Sequence, residues 1–81
     1  MEKLYWFVAQ TYVNNEGASV SYFAYQEGAY GQHTTSDIND NNICYYGIET
    51  AAKRFAYEGI GNTDRTVHGR YLSAPPKRLI S

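Results

Sequence analysis

Two histidines, His33 and His68, and a single cysteine, Cys44, are the side chains of this 81-residue chain best suited to nucleophilic or metal chemistry. They make a poor metal set, because a structural zinc site needs four clustered ligands. Cys44 with His33 has the chemistry of a nucleophile and its base. Cys44, however, stands between Ile43 and Tyr45, with no basic neighbour to lower its pKa, so a core cysteine is the simpler expectation. Asp37, Asn39 and Asn41 share the spacing that opens an EF-hand loop. The sixth position is Asn42 where that loop needs glycine, and the twelfth is Ile48, with Glu49 one place late. The stretch reads as an Asx-rich turn. Gly59-Ile60-Gly61-Asn62 follows a helical segment rather than a strand, which makes it a turn and not a phosphate loop. These residues assemble no catalytic constellation, and no enzyme, cofactor or metal is expected.

Binding is the better-supported chemistry. Nine Tyr, three Phe and one Trp are a heavy aromatic load for one small domain. Of the 34 residues from Asn14 to Gly47, 17 are Tyr, Asn, Ser or Gly. That mixture suits binding loops, in which rigid rings supply area and small polar groups supply adaptable hydrogen bonds. Charge is uneven along the chain. Leu4 to Ala52 holds no Lys or Arg but carries Glu16, Glu27, Asp37, Asp40 and Glu49; from Lys53 onward six basic residues face only Glu58 and Asp64. The expected partner-binding set is Tyr25, Glu27, Tyr30, Asp37, Asp40, Tyr45 and Tyr46. Rings beside carboxylates suit a protein partner with a basic surface, whose Arg or Lys stacks on the ring and pairs with the acid. The runner-up is a small nucleic-acid-binding domain using Arg65, Arg70, Lys77 and Arg78. Ser21-Tyr22-Phe23-Ala24-Tyr25 loosely resembles the stacking aromatics of an RNA-recognition sheet. A hairpin followed by Ala51-Ala52-Lys53-Arg54 faintly resembles a double-stranded-RNA-binding domain. The aromatic hairpin, Leu4 to Gln26, has no Lys or Arg for phosphates, a strand follows the helix, and this reading ranks second.

The elements that must position these groups follow from periodicity. Ile48, Ala51, Ala52, Phe55 and Ala56 fall at helical spacing and predict one helix, with Glu49 in its first turn and Gly59 as the residue that leaves it. Lys3 to Val13 predicts a strand; neither face is polar at its start, so it is expected at the centre of a sheet. Asn14-Asn15-Glu16-Gly17 turns the chain into a second strand, Ala18 to Gln26. Glu27 to Asn42 is expected as a long loop, with an extension of the second strand through Ala29 and Tyr30 past a bulge at Gly28 as a variant. Ile43-Cys44-Tyr45-Tyr46 reads as a short strand or as the helix's first turn, with preference for the turn. Ile60 to Arg65 is a turn, Thr66 to Ser73 a third strand, and Pro75-Pro76 ends it before a mobile tail over 74–81. The expected fold is α+β, an antiparallel three-stranded sheet with one helix packed on a face, in the order β-β-α-β, as a single domain over 1–81.

With its Met1-Glu2-Lys3-Leu4-Tyr5-Trp6-Phe7 start, its acidic hairpin and loop free of Lys and Arg, and its one short helix, the chain resembles the small accessory proteins of phages and prophages. That group includes anti-CRISPR proteins and inhibitors of host enzymes. The resemblance implies a stoichiometric inhibitor that occludes a nucleic-acid-binding surface of a host protein. It carries over no functional residue. A lone cysteine and the shortness of the apolar run Leu4–Ala9 favour a cytoplasmic protein, monomeric or homodimeric, with no membrane partner.

Overall fold

The computed structural model describes residues 1–57 and 64–80. Among them are six strands and one helix: β1 (Lys3–Asn14), β2 (Gly17–Gln26), β3 (Ala29–Thr35), β4 (Tyr45–Tyr46), α1 (Glu49–Tyr57), β5 (Asp64–Leu72) and β6 (Leu79–Ile80). The three-stranded antiparallel sheet of order β-β-α-β is therefore corrected to a curled, mixed, mostly-strand sheet carrying one short helix.

Strand β1 organises the sheet. Along one edge it pairs antiparallel with β5, from Lys3 opposite Leu72 to Thr11 opposite Asp64. Its other edge is shared: Ala9–Asn14 pair with β2, while Trp6 pairs with Tyr46 of β4. Strand β2 leaves β1 after Tyr22 and takes β3 as its next neighbour. The opening between β1 and β2 is filled by residues 42–46. Tyr25 N–H donates to the Asn42 carbonyl at 2.7 Å, and Cys44 N–H donates to the Phe23 carbonyl at 3.0 Å. Strand β6 then pairs parallel with β4, Tyr45 opposite Leu79 and Tyr46 opposite Ile80.

Three expectations change for physical reasons. Strand β3 was expected as loop because its entry is a tight two-residue turn at Glu27-Gly28, with φ of +49° and +84°. Positive φ at both central residues is the type I′ requirement, normally met by Asn-Gly or Asp-Gly, and Glu in first place hides it. Residues 43–46 are buried on both sides, so they show no alternation and mimic a helical turn. They are extended, not helical. The segment beyond Pro75-Pro76, expected as a mobile tail, returns to the sheet as β6, and Ile80 packs on the core.

The core lies on both faces of β1, as its two apolar faces require. Val8, Phe23, Tyr46, Ala52 and Ala56 form the helix side, and Tyr5, Phe7, Ile43 and Tyr45 the other. The small Ala52 and Ala56 let α1 sit close to the sheet. Ile48 departs from the predicted stripe and is 62% exposed. Its carbonyl is the helix's first acceptor, taking the Ala51 and Ala52 N–H groups at 3.1 and 3.4 Å, so Ile48 is the cap residue and lies outside the helical face. Glu49 occupies the first turn as expected and pairs with Lys53 at 3.8 Å. Gly59 and residues 60–63 of the expected turn lie outside the described residues. Asp64 and Arg65, expected within that turn, already belong to β5. Among the described residues no helix is long and apolar enough to cross a membrane.

Candidate functional site

The seven tyrosine and acid side chains expected to form one face are distributed over the molecule. Tyr45 and Tyr46 are core residues, each buried, because residues 42–46 wedge between strands. Asp37 and Asp40 cap the loop itself. The Asn39 N–H donates to Asp37 Oδ1 at 2.9 Å and the Asn42 N–H to Asp40 Oδ1 at 2.8 Å, the Asx turns their spacing announced. The Asn42 N–H lowers the Asp40 pKa; desolvation opposes it, and Thr35 and His33 lower it further. Tyr25, Glu27 and Tyr30 do assemble, at the β2–β3 turn. The Tyr25 and Tyr30 rings meet edge to face at 4.8 Å, and the Gly28 N–H donates to the Tyr25 hydroxyl at 2.7 Å.

The arginines explain why the acidic stretch is not a bare acidic face. Arg78 lays its guanidinium 3.9 Å from the centre of the Tyr25 ring and donates from Nε to Asn42 Oδ1 at 3.1 Å. Arg70 donates to the Ile38 carbonyl at 2.8 Å, the Tyr45 hydroxyl at 3.2 Å and Asn39 Oδ1 at 3.2 Å. Arg65 sits between the Phe23 and Phe55 rings at 4.6 and 5.0 Å and donates to the Phe55 carbonyl. The stacking cation assigned to a partner is supplied for Tyr25 by the chain itself. The same three arginines were the core of the nucleic-acid alternative, and all three are engaged internally. Arg70 also borders a groove of about 500 Å³ beneath the 38–41 loop. Its hydrogen bonds to that loop leave Lys77, an exposed side chain, as the freer cation of the groove.

A second surface was missed. On the side away from α1, ladder register puts Ala9 opposite Tyr22, Thr11 opposite Val20 and Val13 opposite Ala18. Across β5, Phe7 faces His68 and Ala9 faces Thr66. Thr11, Val20, Tyr22, Thr66 and His68 wall a trough of about 380 Å³ with Phe7 and Ala9 as floor and Ile38 closing one end, and Val13 and Ala18 lie beyond it on the ribbon. Phe7 meets Tyr22 edge-on at 5.6 Å and stacks with His68 at 5.6 Å. The Thr66 hydroxyl and His68 Nε2 are 2.7 Å apart, which fixes the imidazole as a wall. Among the described residues the ladder to β5 reaches no further than Thr11, and residues 12–20 form an exposed two-stranded ribbon. Val13 is 70% and Val20 44% exposed. The opposite face of the ribbon is Gln10, Tyr12, Asn14, Ser19 and Ser21. The signal was present in the sequence as alternation along both strands; what it lacked was any indication that one apolar face stays uncovered.

No protein family, curated relative or solved structure matches the chain. The site must be read from its own chemistry. Among the described residues no group of three His, Cys, Asp or Glu side chains could hold a metal ion. Cys44 is buried, and burial pushes its thiol pKa up, against the thiolate a nucleophile needs. His33 is exposed on β3, and His68 is occupied as a trough wall. What the described residues offer at the trough is shape and apolar area.

Proposed function

We propose that the protein is a binding module for another protein and acts by occupying its partner's surface, as a stoichiometric inhibitor would. The trough and ribbon face of β1 and β2, which no described residue covers, is the observation that carries this reading. Antiparallel sheets hold one face on the core and present the other to water, and the outward face is then polar. Here the polar residues are on the ribbon's other side, and Val13 and Val20 stand in solvent. A contiguous apolar surface of this kind marks an interaction site. The ladder beneath it is paired without a break from Ala9 to Asn14, which limits the ordering entropy that opposes docking. The internal engagement of Arg65, Arg70 and Arg78 favours this reading over nucleic-acid binding, which needs free cations for phosphates.

The test is capture with chemical crosslinking from a bacterial lysate, comparing the parent with Val20→Asn and with Tyr30→Ala. Val20→Asn should lose the captured species, while Tyr30→Ala, near the β2–β3 turn and outside the trough lining, should keep it. Circular dichroism establishes that both variants are folded. Equal capture by all three proteins would remove the trough as the working surface.

A further inference from the structure

Resting on the reading of the trough as a protein-docking surface, we infer that its occupant is a basic amphipathic α-helix of the partner. Three observations converge on that class. The first is shape. From Phe7 to Val13 the strip covers six residue steps of strand, roughly 20 Å, the length of about 13 residues of helix, and its inner part from Phe7 to Thr11 is the trough. The trough is walled on one side by Tyr22 and Val20 and on the other by Thr66 and His68, with a low floor at Ala9. A ridge of side chains at i, i+3 or i+4 and i+7 fills such a channel. The same sheet already seats a helix on its opposite face, where Val8 and Val67 receive α1.

The second observation is charge. None of the described residues lining the trough is Lys or Arg. Its rim is acidic at three points: Glu16 at the ribbon tip, Asp37 beside Ile38, and Asp64 opposite Thr11. Arg65 is the neighbouring cation of β5 but lies on the other face, held between Phe23 and Phe55. Arg70 is tied to the Ile38 carbonyl at the closed end. An apolar channel with carboxylates spaced around it complements a helix whose apolar stripe is bordered by Lys and Arg. It repels an anionic lipid surface.

The third is area. A strip three strands wide and about 20 Å long gives a second copy of this chain a patch well short of the roughly 800 Å² per partner of a standard interface. A helix needs no more than the channel, because it brings its buried stripe to a concave site.

The experiment titrates the full chain with a designed 14-residue peptide, Leu at the stripe positions and Lys on both flanks, by isothermal titration calorimetry. A scrambled peptide of equal composition is the control. The expected result is saturable one-to-one binding, at least about tenfold tighter than the scrambled peptide. Val20→Asn should weaken it about tenfold, as loss of an anchor does. The combined variant Glu16→Gln, Asp37→Asn and Asp64→Asn should lose most of the salt dependence; Asn at 37 retains the Oδ1 that caps the loop. Equal binding of the scrambled peptide, or indifference to Val20→Asn in a folded protein, overturns the inference. Val20-dependent capture of a partner from lysate without peptide binding overturns the helix while leaving the docking surface intact. A monomer–dimer equilibrium by sedimentation that Val20→Asn abolishes overturns it in favour of a second copy.

Discussion

Tyr46 shows what a phenol does when the fold takes it from the surface. Burial, with the nearby Cys44, pushes its pKa up to about 12, and Arg65 offsets only part of that. In the unfolded chain the group ionises near pH 10. Between those values the unfolded state releases a proton that the folded state keeps. The stability due to Tyr46 is thus whole below pH 10 and is lost as pH rises toward 12. Ultraviolet titration of phenolate should contain a late component that ionises together with unfolding, and Tyr46→Phe should remove that component and move alkaline unfolding upward. A full set of tyrosines ionising near pH 10 in a folded protein would contradict the burial. Arg65 carries the opposite kind of tension. Its guanidinium gains two aromatic faces, yet among the described residues its buried Nε finds no hydrogen-bond partner.

At the scale of elements, Phe55 joins the helix to the curled edge of the sheet. Its ring meets Phe23 at 5.2 Å and Tyr46 at 6.2 Å. A Cβ on Gly31 of β3 would lie 2.9 Å from Phe55 Cζ, and φ there is +75°. Glycine is required twice over, for conformation and for room. Gly31→Ala should cost about 2–4 kcal/mol, the sum of left-handed strain and overpacking. The double variant Gly31→Ala with Phe55→Leu should recover only the steric share. Urea unfolding that finds Gly31→Ala within about 0.5 kcal/mol of the parent would refute this account of how β3 is held. The elements with their own periodicity were legible in the sequence: β1, β2, α1 and most of β5. Strands β3, β4 and β6 were not, because a Glu-Gly type I′ turn has no strong signal and two-residue strands have no period. The candidate site was half legible. Alternation defined the faces of Ala9–Val13 and Ala18–Tyr22, but whether loop 36–43 covers all of that face or stops at Ile38 is settled by packing. Tyr45 and Tyr46 were misplaced for the same reason: a buried wedge and an exposed binding loop can share a composition.

For the whole molecule, folding carries Arg70 and Arg78 across more than thirty residues to reach the 38–42 loop. The same long reach governs β1, and there its consequence is one of timing. Trp6 pairs with Tyr46 and with Gly69, about forty and sixty residues further along the chain. A ribosome adding roughly 5–20 residues per second needs several seconds to make those partners. Throughout that interval Leu4-Tyr5-Trp6-Phe7-Val8-Ala9 is a nascent run of apolar side chains with no charge and no proline, the composition of an aggregating segment. The hub of the finished sheet is therefore the most vulnerable stretch of the newborn chain. Refolding from urea, followed by Trp6 fluorescence, should take milliseconds to seconds, with a yield that falls as protein concentration rises. Microsecond refolding with a concentration-independent yield would mean that β1 finds its distant neighbours without ever standing exposed.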